Sequence, residues 1–216
     1  MYCVGDIVIY GTQGICKVDA IGPLPMSFAD KKRQYYTLRP YYSPEMVIYA
    51  PMDNQAIVMR SPLTREQAED LIAQIPSIET AWIVNEKERE VQYRQALHTC
   101  NCRELVKIIK TLYNRKAARA QRGKRGTAVD ERYFRMAEEQ LYGELAYVLG
   151  MEKSAMPEYI ARCIHEEACS RNQPAEFSLC AELRFLCRRT APRAVRPVVP
   201  KTANFFTRTL PNRARL

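Results

Sequence analysis

GDIVIYGTQGICKVDAI, residues Gly5 to Ile21, decides the fold of the first third of the chain. GDIVIY (Gly5–Tyr10) and ICKVDAI (Ile15–Ile21) alternate in the manner of pleated strands, and Gly11-Thr-Gln-Gly14 supplies turn chemistry between them. Beyond this pair, Gly22 to Lys32 holds two prolines and a charged cluster and reads as a loop. Tyr35-Tyr-Thr-Leu38 and Met46-Val-Ile-Tyr49 are aromatic and β-branched, which suits a half-buried pleated surface, and Pro40 and Pro44 bracket their connection. Ile57-Val-Met59 makes a fifth short strand. Five short strands with tight turns predict a small closed barrel, because closure removes exposed sheet edges.

At Pro62 the apolar period changes from two to about 3.6. Thr64-Arg-Glu-Gln67 is a capping-box pattern ahead of Leu71, Ile72 and Ile75, and Pro76 ends that helix. A second helix is expected from near Asn85 to Leu97. Asn101-Cys-Arg-Glu104 opens a third, whose Leu105, Ile108, Ile109 and Leu112 form one apolar stripe. Gly123-Lys-Arg-Gly126 breaks it. Asp130 opens a fourth, with Phe134, Ala137, Leu141, Leu145 and Val148 inward and Gly150 at the C-terminal cap. Pro157 to about Glu167 gives a short fifth. The fold class is therefore α+β: a β domain over residues 1–61, a helical bundle over 62–167, and a tail over 168–216.

The 216 residues carry a net charge of +9, unevenly placed. Ala168 to Leu216 holds ten Arg/Lys against two Asp/Glu, leaving residues 1–167 at only +1. Five of the thirteen prolines also fall there, and the segment reads as a disordered basic tail. An altered reading frame gives the same abrupt change of composition; the intact mass of the native protein, compared with the 25.0 kDa of this sequence, tests it. Within the body, Arg103 to Arg125 sets nine basic residues against Glu104 alone. Such a stripe says more about partners than the total charge does.

No apolar run approaches the roughly 20 residues of a membrane span, and the N-terminus lacks the pattern of a signal peptide. A cytoplasmic protein is expected. The eight cysteines include no C-x2-C pair, so free thiols are expected rather than disulfides or zinc. His98 and His165 are the only histidines, and each reads as a packing or surface residue. No G-x-S-x-G, H-E-x-x-H or HRD-like string is present, and GKRG at Gly123 lacks the remainder of a P-loop. Glu138-Glu139 is read as part of a solvated helix face. Catalytic residues, metal, cofactor and small-molecule substrate are accordingly not expected.

Arg103, Lys107 and Lys110 recur at helical spacing away from the apolar stripe, and Arg115, Lys116, Arg119, Arg122, Lys124 and Arg125 continue the positive surface. Two explanations stand: a solvated face, or a surface for phosphates whose affinity is steeply salt-dependent and nearly sequence-blind. Trp82, the only tryptophan, lies in Glu79-Thr-Ala-Trp82-Ile-Val-Asn85. It serves either as core packing or as an apolar wedge into a base step.

Val4 to Ile15 resembles the RNA polymerase-interacting domain shared by CarD/CdnL regulators and the transcription-repair coupling factor. Tyr36-Thr-Leu38, Val47-Ile-Tyr-Ala-Pro51 and Asp53-Asn54 continue the resemblance. Leu105 to Tyr113, Asp130-Glu131 and Ala137 to Ala146 are similar to the helical half of CarD-like proteins. The resemblance implies a Tudor-like barrel docking on the polymerase β subunit, and a helical domain on promoter DNA near the upstream edge of the transcription bubble. By position it implies Leu24, Met26 and Tyr49 for polymerase, Trp82 as the wedge, and Arg89, Arg94, Lys107 and Lys110 for phosphates. It also implies a nucleoid-associated monomer that modulates open-complex stability. The tail departs from the family, whose members usually stop near Glu167. Two other functions fit the sequence: an adaptor whose helical domain binds protein without touching DNA, and a protein whose tail is its main nucleic-acid element.

Overall fold

The computed structural model describes residues 1–24, 33–54, 56–81 and 88–170. Strands β1 (Ile7–Tyr10), β2 (Ile15–Gly22), β3 (Tyr35–Pro40), β4 (Ile48–Pro51) and β5 (Met59–Arg60) form one antiparallel sheet in the order β4-β3-β2-β1-β5. The expected closure is absent among the described residues: β4 and β5 are the two edges of an open sheet. The physical reason lies in β5, which is two residues long and pairs only with β1. The register shifts between Val18 and Ala20, a bulge that bends β2. Val8, Tyr10, Cys16, Val18, Tyr36, Leu38 and Ala50 make the core on one face.

The turn after β1 needs glycine at Gly11, where φ is +47°. A Cβ there would also lie 2.7 Å from the Ile57 side chain. The short 3-10 turn Gly11–Gln13 therefore approaches the chain entering β5 more closely than any other residue could.

The helices follow the apolar periodicity. α1 (Arg65–Gln74) starts on a complete capping box between Thr64 and Gln67. α2 (Arg89–Thr99) begins later than the apolar pattern suggests, and the stretch from Trp82 to Lys87 lies outside the described residues. α3 (Cys102–Gln121) is capped by the Asn101 side chain, and its Leu105, Ile108, Ile109 and Leu112 are all buried. α4 (Ala128–Leu149) starts two residues before Asp130, because the Thr127 hydroxyl caps the Asp130 N–H. Gly150 closes α4 in the left-handed conformation, as predicted. α5 (Met156–Ser170) runs three residues past the predicted end. These helices share one core in which Ala68, Leu71, Tyr93, Leu97, Leu141 and Ile160 meet.

The sheet and the bundle also share an interface. Ile9 and Ile15 pack on Cys100, with Ile7 and Tyr147 beside them. The Gln140 amide and the Cys100 thiol both donate to Gly11 O, and the Tyr42 hydroxyl donates to Gly143 O. No helix among the described residues is long and apolar enough to cross a membrane.

Candidate functional site

Two surfaces answer to the sequence expectations, one on the sheet and one on the bundle. On the sheet, β4 has a single neighbour, so its outer edge leaves backbone donors and acceptors unpaired within the sheet. Tyr49 lies opposite Thr37 in the β4–β3 ladder. Strand alternation puts it on the face away from the Tyr36, Leu38 and Ala50 core, and it is half-buried. Leu24 is also half-buried and follows the Gly22–Tyr35 pair that ends the β2–β3 ladder. Met26 lies outside the described residues.

Beside β4, the β3–β4 connection exposes Tyr41, Tyr42, Met46 and Val47. The Tyr41 ring sits edge-on to Tyr42 and to Tyr147 of α4, at 5.1 and 5.0 Å. In the sequence Tyr41 and Tyr42 read as part of a connection between two prolines, whereas Met46 and Val47 read as the start of a strand that the structure begins only at Ile48. The signal this stretch carries is four large apolar residues in a turn with no strand partner to cover them.

On the bundle, the basic residues divide into two groups. Arg89 is buried to 13% exposure against Asp130, itself at 9%, with N···O of 3.3 Å, and Arg115 lies 3.7 Å from the same carboxylate. Asp130 thus joins the start of α2 to α3 and α4. Lys110 behaves similarly: its ammonium donates to Ile75 O, Pro76 O and Ile78 O, satisfying carbonyls where α1 ends. These two predicted phosphate contacts are engaged inside the fold.

The other two face solvent. Arg94 is 60% exposed and 3.5 Å from Glu90, which also accepts from Arg132 and from the Tyr133 hydroxyl. Lys107 is 36% exposed and pairs with Glu104 one turn earlier on α3. Arg103, Arg122, Lys124, Arg125 and Arg135 are exposed and form no ion pair among the described residues. Arg122, Lys124 and Arg125 sit on the α3–α4 turn. There Gly123 takes a φ of +67°, Lys124 N–H donates to Arg119 O, and the Arg119 guanidinium donates to Arg125 O. The turn is thus held by its own backbone while three cations project from it.

Trp82 lies outside the described residues, but both flanks of its segment are anchored. Ala81 N–H donates to the Thr111 hydroxyl on α3 at 2.8 Å. On the other side, Arg89 pairs with Asp130.

Glu138, Cys16 and Cys102 have perturbed protonation. Burial pushes the Glu138 carboxyl on α4 up to about 7, against the opposing pull of the Tyr142 hydroxyl and the Lys116 charge. Burial likewise raises the Cys16 thiol to about 11 and the Cys102 thiol to about 12.

Residues 2–61 match the family model of the CarD-like/TRCF RID domain, a domain type that interacts with RNA polymerase. The matched segment ends where β5 ends, so it coincides with the sheet. No curated protein matches the chain.

Proposed function

We propose that this chain is a non-enzymatic transcription regulator that docks on the RNA polymerase β subunit through its sheet and contacts promoter DNA through its bundle. The observation that carries the reading is the match of residues 2–61 to a polymerase-interacting domain. The free β4 edge, with Tyr49 on it, offers main-chain pairing to a partner strand. Leu24 and Met26 are assigned to the same polymerase contact on the resemblance. The cations of the α3–α4 turn, with Arg94 and Lys107, supply the positive surface for phosphates. Arg89 and Lys110 support that surface from within the fold. Trp82 is the apolar wedge at the upstream edge of the bubble.

Docking raises the local concentration of the bundle at the promoter, so weak, sequence-tolerant DNA binding suffices. A factor that binds the open complex more tightly than the closed one shifts that equilibrium by the ratio of its two affinities; a tenfold preference corresponds to about 1.4 kcal/mol. The protein acts as a monomer at the nucleoid.

Binding of the purified chain to the isolated β subunit tests the docking half. Tyr49→Asp abolishes binding with the fold intact if the β4 face docks; unchanged binding moves the docking surface elsewhere. The exposed Tyr41, Tyr42, Met46 and Val47 favour a second reading, an adaptor that recruits another protein to polymerase without touching DNA. Salt-independent failure to bind fork-junction DNA selects that reading.

A further inference from the structure

Arg60 is the last residue of β5, and Glu144 lies in the C-terminal third of α4 with a side chain only 3% exposed. The Arg60 guanidinium uses all five of its N–H donors. Nε and one terminal N–H donate to Cys100 O at 2.9 and 2.6 Å, and another N–H donates to Ser61 O. The remaining two reach the two Glu144 oxygens at 2.7 and 2.6 Å, a bidentate pair. Glu144 is equally complete, because Leu63 N–H donates to Oε1 and the Cys102 thiol donates to Oε2.

Each partner belongs to a different piece of the chain. Arg60 is in the sheet, Leu63 in the connection to α1, Cys100 at the C-terminal cap of α2, Cys102 at the start of α3, and Glu144 on α4. Cys100 takes the left-handed conformation, φ 53°, as a non-glycine residue. That geometry turns its carbonyl to Arg60 while its thiol is buried between the sheet and the bundle. A cation at the carbonyl end of α2 also complements that helix's dipole.

We propose that the Arg60–Glu144 pair positions the bundle on the sheet. It holds the two as one rigid body, so that the basic α3–α4 turn falls at a set distance from the β4 edge. A buried ion pair adds little net stability over well-packed apolar groups, but a pair with every donor and acceptor used admits one arrangement only. The peptide connection at Ser61–Pro62 then contributes nothing to the geometry. Arg60 and Glu144 are positioning residues. Their effect on transcription rests on the function proposed above; the rigidity does not.

The test measures the distance between labels at Lys17 and Lys124, both exposed, in the full chain. The labels are attached through non-natural side chains, since the native cysteines exclude thiol chemistry. Wild type gives one narrow distribution. Inserting Gly-Ser-Gly-Ser between Ser61 and Pro62 leaves it unchanged, whereas Arg60→Lys or Glu144→Gln broadens it. A broad wild-type distribution, broadening by the insertion alone, or a narrow unchanged distribution in both point variants overturns the proposal. The insertion keeps every side chain, so it tests whether contacts rather than the peptide connection set the distance; Arg60→Lys, which retains the charge, tests whether this pair is the contact that does so.

On polymerase, Arg60→Lys keeps wild-type affinity for the β subunit yet shortens the open-complex lifetime about tenfold, because linked contacts forfeit avidity once their geometry is released. Narrow labels with no effect of wild type on the open complex leave the positioning pair standing and remove the regulator. An altered lifetime in wild type with labels that stay narrow in Arg60→Lys does the reverse.

Discussion

The Lys110 ammonium lies 3.0 Å from the carbonyl oxygen of Ile75, joining the middle of α3 to the end of α1. Two further carbonyls, of Pro76 and Ile78, receive the same ammonium. A lysine so engaged is a helix-end cap before it is a phosphate ligand. Lys110→Met is expected to lower unfolding stability by about 1–3 kcal/mol, the cost of leaving buried acceptors unsatisfied. Urea unfolding measures this. Unchanged stability with weakened DNA binding assigns Lys110 to the phosphate surface instead.

The α3–α4 turn carries the opposite expectation. Replacing Arg122, Lys124 and Arg125 by alanine leaves stability nearly unchanged, since none forms an ion pair among the described residues. The slope of log affinity for fork-junction DNA against log salt becomes shallower by about 0.9 for each phosphate that the protein no longer neutralises. Lys107→Ala removes about one such step, and the triple variant up to three. A slope that does not change removes this turn from the interface.

Glu138 gives a pH-dependent expectation. Its carboxyl is held up to about 7 in the folded protein by burial, against 4.5 in the unfolded chain. Between those values the folded state keeps a proton that the unfolded state has given up. The stabilisation from this group is complete below pH 4.5 and disappears as pH rises through about 7. Glu138→Gln is consequently more stable than wild type at pH 8, and the difference vanishes near pH 4. Thermal unfolding across that range checks it; equal stability of the two proteins at pH 8 contradicts the burial argument.

The thiols divide by burial. Cys3 is exposed, whereas Cys16 and Cys102 are buried with thiols raised to about 11 and 12. Since the thiolate is the nucleophile, brief alkylation of the native protein at pH 8 modifies Cys3 and spares the other two. Peptide mapping by mass spectrometry reads the result. Rapid modification of Cys102 would mean that the Arg60–Glu144 region opens readily.

Local signals in the sequence are legible where the physics is local. The Thr64–Gln67 capping box, the Leu105 to Leu112 stripe and the Gly150 cap each depend on residues within two helical turns, and each stands as read. Sheet closure is not legible, because strand length near β5 is set by what pairs with it. Arg89 and Lys110 look like their exposed neighbours in sequence. Only the approach of Asp130 and of the α1 terminus draws them inward. The Arg60–Glu144 pair spans 84 residues, and no periodicity connects its members. Leu24 and Tyr49 owe their polymerase role to resemblance, and the strand pattern over Met46–Tyr49 does not reveal that Met46 and Val47 stay outside β4 and exposed.

The most direct test of the regulator is the lifetime of the open promoter complex formed by the cognate polymerase, measured after competitor challenge with and without this protein. The account predicts that wild type lengthens the lifetime and that Trp82→Ala binds the β subunit normally but does not. If neither wild type nor Trp82→Ala changes the lifetime although both bind the β subunit, the bundle does not act on the bubble. The account is then wrong about DNA.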